Sequence, residues 1–99
     1  MLEAMNGERT TLLQVFVEPT CETCRRAIQL AEGVDAAYPQ LDVDIVDIRN
    51  RSGERDDVFA VPTFVLDDRV LSLGNPQEST LRREIEMLLR AREFGTLNS

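Results

Sequence analysis

The 99-residue sequence has only two cysteines, and they stand three positions apart as Cys21-Glu22-Thr23-Cys24. Thiols at that spacing suit thiol–disulfide exchange, which needs an accessible thiolate and a second thiol near enough to resolve the mixed disulfide. They also suit metal binding. Zinc needs about four soft ligands, and a chain with no His and no further Cys does not supply them, whereas a two-thiolate Cu(I) site stays open. A third reading is a pair of small buried residues with no activity. As a structural staple the pair is poor, because the loop it closes is too short to constrain much of the unfolded chain. A secreted disulfide scaffold would carry more cysteines, spread more widely. The redox reading is favoured by where the pair sits, between a strand and a helix.

The elements that position it follow from hydrophobic periodicity. Residues 11–17 (TLLQVFV) are apolar, rich in β-formers and of strand length. Pro19 and Thr20 end that strand, and a helical period begins at Cys21. Cys24, Ala27, Ala31 and Val34, with Ile28 and Leu30, fall on one face, and Arg25, Arg26, Gln29 and Glu32 on the other. A cysteine at the helix start feels unpaired N–H groups and about half a positive charge, which favour its thiolate. Cys24 belongs to the apolar stripe and should be shielded, while Cys21 lies at the exposed start. Cys21 is therefore the expected nucleophile and Cys24 the resolving thiol. Arg25 and Arg26 would add to this activation, and Glu18 and Glu22 would oppose it.

Residues 41–48 (LDVDIVDI) read as a second strand, solvated on one face at its beginning, and the resulting βαβ unit predicts parallel strands with a right-handed crossover. A short helix is expected over 54–60. Residues 64–66 and 69–73 form a hairpin about a tight turn at Asp67-Asp68, closed by Gly74. Asn75 is the expected cap of the last helix, with Pro76 at its first position and Glu78 three residues after the cap. Leu81, Ile85, Leu88 and Leu89 form its buried stripe, Arg90 and Arg92 suit its C-terminal end, and Gly95 is the expected stop, with a frayed tail over 96–99. The fold class is thus α/β: a four-stranded mixed sheet, β-α-β then β-β-α, with helices on both faces. One domain over 1–99 is expected, its core spanning about 11–94.

Absences narrow the function. With no His and no Lys, all eleven basic residues being Arg, Ser/His/Asp and Cys/His catalysis, Schiff-base chemistry and a P-loop lysine are excluded. A net charge of −7 argues against nucleic acid or an anionic membrane as the main partner. Residues 1–7 have neither the basic start nor the apolar core of a signal peptide, so a cytoplasmic protein is expected. Asp42, Asp44 and Asp47, with Asp56 and Asp57, read as a solvated strand face and loop rather than a metal site. Arg82-Arg83 and the arginines at 90 and 92 read as a solvated helix face. Phe16, Phe59 and Phe64 read as core or site rim, and Tyr38 as a loop residue.

The string Val15-Phe16-Val17-Glu18-Pro19-Thr20-Cys21-Glu22-Thr23-Cys24, followed about forty residues later by Ala60-Val61-Pro62-Thr63-Phe64, resembles the thioredoxin/glutaredoxin superfamily. It is most similar to the short thioredoxin-like members, over 12–89. The resemblance implies a protein dithiol–disulfide oxidoreductase with no cofactor and no metal. It would act as a monomer on protein disulfides and be recharged by a disulfide reductase or a small-molecule thiol. It implies that Pro62 is cis and faces the cysteines, that the Val61 backbone pairs with a substrate strand, and that Gly74 permits close approach, with Thr20 completing the substrate-binding set. The alternative is a non-catalytic module of the same fold, used for docking or for Cu(I). Three departures stand out. Thr20 replaces the family's usual Trp, Glu22-Thr23 replaces Gly-Pro, and Val15 stands where thioredoxins bury an Asp as proton acceptor for the resolving thiol. Ala60-Val61-Pro62 and Gly74-Asn75-Pro76 match the glutathione-holding segments of glutaredoxins only in part, so glutathione is not the expected main substrate.

Overall fold

The computed structural model describes residues 11–18, 20–49 and 61–98, with side chains through Arg92. The elements in order are β1 (Thr11–Val17), α1 (Glu22–Ala37), β2 (Leu41–Asp47), β3 (Thr63–Leu66), β4 (Arg69–Leu73) and α2 (Glu78–Asn98). They form one four-stranded sheet in the order β2-β1-β3-β4. β1 runs parallel to β2 and antiparallel to β3, and β3 is antiparallel to β4. The sheet is thus mixed, as the βαβ-then-hairpin reading requires.

β1 is flanked by strands on both sides and buried over most of its length, which is why its sequence is nearly continuous in apolar residues. Leu13 and Val15 pair with Leu66 and Phe64, so these four side chains share one face of the sheet. They join Cys24, Ala27, Leu30, Ala31 and Val34 of α1 and Leu81 and Ile85 of α2 in a single core cluster. Both described helices therefore lie on the same face. The expected helix at 54–60 falls outside the described residues. On the opposite face Phe16, Thr63 and Val65 are also buried. Fully burying one such Leu, Ile or Phe contributes about 1.5–3 kcal/mol. An exposed ion pair such as Arg82–Glu78, at 3.0 Å along α2, is screened by solvent and contributes far less. The core stripe, not surface charge, fixes where the helices sit.

The hairpin turn carries left-handed backbone at both Asp67 (φ 50°) and Asp68 (φ 71°). Two consecutive left-handed residues match the twist of the flanking strands, and Asp tolerates this conformation better than most residues. Asp67 adds an anchor that repays the strain. Its N–H donates to the Leu12 carbonyl at 2.8 Å, its Oδ1 accepts from the Leu12 N–H at 2.9 Å, and its Oδ2 pairs with Arg92 of α2.

Two boundaries of the last helix differ from expectation. α2 begins at Glu78, not at Pro76, and its first intrahelical bond runs from the Leu81 N–H to the Gln77 carbonyl at 3.0 Å. Asn75 is not the cap, because its side chain is engaged elsewhere. Gly95 does not stop the helix, which continues to Asn98; a glycine interior to a helix costs about 1 kcal/mol without terminating it. The expected frayed tail is helical up to that residue. Tyr38, given no role by the sequence, caps α1. Its N–H donates to the Val34 carbonyl at 2.9 Å, its hydroxyl donates to Glu86 of α2, and the Arg82 guanidinium lies 5.8 Å from its ring centre. No described helix is long and apolar enough to cross a membrane.

Candidate functional site

β1 delivers the chain to Glu18, whose carbonyl accepts the Cys21 N–H at 3.0 Å and closes a turn. Cys21 then occupies the N-cap of α1 in extended backbone (φ −81°, ψ 121°). N-cap residues accept from the orphan N–H groups of the first turn. Here the acceptor is sulfur: the Cys24 N–H donates to Cys21 Sγ at 3.2 Å. The Thr23 hydroxyl lies 3.2 Å from the same sulfur, oriented to donate once that sulfur is a thiolate.

The two cysteines are separated by environment. Cys21 is partly exposed, whereas Cys24 is 2% exposed and belongs to the core. The Cys21 pKa is lowered, first by the hydrogen bond from the Cys24 thiol and then by that from the Thr23 hydroxyl. The Cys24 pKa is pushed up to about 11, first by burial and then because its thiol donates to Cys21. Hydrogen bonds to sulfur, rather than the charges of Arg25 and Arg26, lead the activation of Cys21. The bond from Thr23 was not foreseen in the sequence; the available signal was a hydroxyl residue two positions after an N-cap.

The opposite wall comes from the segment entering β3. The Val61–Pro62 peptide bond is cis, Pro62 is buried and Val61 half-buried. Thr63 pairs with Phe16 near the end of β1, so Pro62 flanks the sheet end from which the cysteine turn departs. Gly74 reaches this point from β4 with φ +100°, a conformation that favours glycine. Its N–H donates to the Pro62 carbonyl at 2.7 Å, and its own carbonyl accepts from Ser72 Oγ at 2.8 Å. Asn75 Nδ2 then donates to the Thr23 carbonyl at 3.0 Å. Cys21, Cys24, Pro62 and Gly74 are thus gathered at one end of the sheet, with Val61 beside Pro62. Thr20 is exposed in the turn before Cys21. Val15 is fully buried among apolar neighbours, so no carboxylate occupies that position.

A chain with this sheet order, a cysteine pair at a helix start and a proline strand opposite can be compared with known proteins. No protein-family model matches it. A protein of Archaeoglobus fulgidus described as "Probable Thioredoxin" is 28% identical over 87 residues, covering 85% of this chain and 96% of the relative. The fold of the chain is thioredoxin-like. Solved structures agree on that fold. A thioredoxin point mutant from Halobacterium salinarum superposes with a TM-score of 0.69 at 22% identity, over 87% of this chain and 80% of that one. Thioredoxin from Fasciola hepatica gives 0.66 at 24% identity, over 87% and 89%. With the cysteine spacing, these likenesses point to a redox protein of thioredoxin type.

Proposed function

We propose that this protein is a dithiol–disulfide oxidoreductase acting on protein disulfides. The observation that carries the reading is the division of labour between the sulfurs. One is capped, hydrogen-bonded and open to solvent, and the other is buried and held protonated. The Cys21 thiolate attacks one sulfur of a substrate disulfide, forming a mixed disulfide and releasing the other sulfur as a thiolate, which takes up a proton. Forming that bond removes the negative charge and the acceptor to which Cys24 donates, so one cause of its raised pKa disappears. Cys24 then loses its proton and attacks Cys21 Sγ, breaking the mixed disulfide and releasing the second substrate thiol. Two electrons pass to the substrate and a Cys21–Cys24 disulfide remains, to be reduced by a disulfide reductase or a small thiol.

Thr20, Val61, Pro62 and Gly74 are the residues we assign to the substrate. Proline has no N–H, and an open strand end can take an added peptide through backbone bonds. A chain whose few thiols are meant to cycle suits a reducing compartment, and we assign the protein to the cytoplasm. The test is insulin reduction driven by dithiothreitol. Cys21→Ser is expected to abolish catalysis, and Cys24→Ser to accumulate a mixed disulfide at Cys21. Full turnover by either variant contradicts the mechanism.

A further inference from the structure

The corner between β4 and α2 is bonded to both walls of the site. Gly74 donates to Pro62 on one side, and Asn75 donates to the Thr23 carbonyl on the other. Thr23 lies between the two cysteines, 52 positions earlier in the chain. The Asn75 side chain is exposed, so water could satisfy its amide. The bond is not needed to pair a buried group, and its effect is to fix one wall relative to the other.

We propose that Asn75 is a positioning residue. Its amide holds the turn bearing Cys21 at a set separation from the Pro62–Gly74 edge, so that an extended protein segment meets the sulfur and the strand end together. This rests on the redox reading above and refines it. Asn75 donates to a carbonyl and not to sulfur, so it acts on the seating of the substrate and not on thiol acidity. Loss of one pre-set contact of this kind weakens ground-state and transition-state binding alike, which appears in KM and not in kcat.

The experiment measures KM and kcat for insulin with dithiothreitol as reductant, and the pH profile of Cys21 alkylation by iodoacetamide, on the full chain. Asn75→Ala is expected to raise KM about fivefold, the worth of roughly one hydrogen bond. Its kcat should stay within about twofold, and its alkylation midpoint should not move. Asn75→Asp keeps the shape but has no donor, and should raise KM similarly. Either variant at the wild-type KM overturns the proposal, as does an Asn75→Ala variant that shifts kcat and the alkylation midpoint together. An active wild type with an unchanged Asn75→Ala removes only the role of Asn75. A wild type inert toward insulin removes the redox reading, and this proposal with it.

Discussion

Burial of Cys24 has a consequence that equilibrium unfolding can read. In the folded protein its thiol titrates at about 11, against an ordinary value of 9.0. Between those values the native state holds a proton that the unfolded chain has released. The stabilisation is therefore fully present below pH 9 and is lost as pH rises through 11. Two units at about 1.36 kcal/mol each make the whole loss about 3 kcal/mol. About 1 kcal/mol of it falls between pH 9.5 and pH 10.5. Cys21 titrates in the opposite sense, its folded pKa lying below 9.0, so its contribution is nearly complete before that window opens. Tyr38, also raised, is common to the proteins compared. The assay is urea unfolding of reduced wild type and Cys24→Ala at the two pH values. The stability gap between them should narrow by about 1 kcal/mol. Parallel behaviour of the two proteins would show that the Cys24 thiol is not held protonated by burial, and the assignment of a shielded resolving thiol would fail with it.

Replacing Thr23 by Val removes the hydroxyl beside Cys21 Sγ and should move the iodoacetamide alkylation midpoint upward toward the ordinary thiol value, while Thr23→Ser leaves it near wild type. Glycine-to-alanine changes at two sites should have opposite signs by urea unfolding. At Gly33, inside α1, a Cβ meets nothing within 4 Å and φ is ordinary, so Gly33→Ala should stabilise by about 0.5–1 kcal/mol. At Gly74 there is equal space but φ is +100°, so Gly74→Ala should destabilise by about 1–3 kcal/mol. Ile85→Ala, at a fully buried site in the contact of α2 with the sheet, should cost about 2–5 kcal/mol.

The parts of the fold that could be read from sequence are those where one physical signal dominates. β1 and β4 have the bounds that their β-rich runs give, and the stripe through Cys24, Ala27, Ala31 and Val34 is the buried face of α1. The separation of an open Cys21 from a shielded Cys24 followed from that same stripe. What escaped depended on tertiary partners. Asn75, Pro76 and Glu78 have the local spacing of a helix start, but a backbone carbonyl 52 positions away in sequence claims the Asn75 amide and the helix starts later. The Asp67-Asp68 turn has no glycine to announce left-handed backbone. Its conformation is supported by Leu12 and Arg92, which no local pattern connects to it. Tyr38 looked idle because Glu86 and Arg82 reach it only after the two helices share a face.

The place of β1 in the middle of the sheet bears on how the molecule loosens with heat. All seven of its residues are in register with β2 and four with β3. Its amides should therefore exchange with solvent deuterium only through global opening, while the β4 hairpin and the end of α2 exchange through smaller, local openings. The sulfur of Cys21 is carried just past the last strand to come apart. Warming that frays the periphery should leave thiol reactivity intact, and reactivity should disappear in the same transition that melts the sheet.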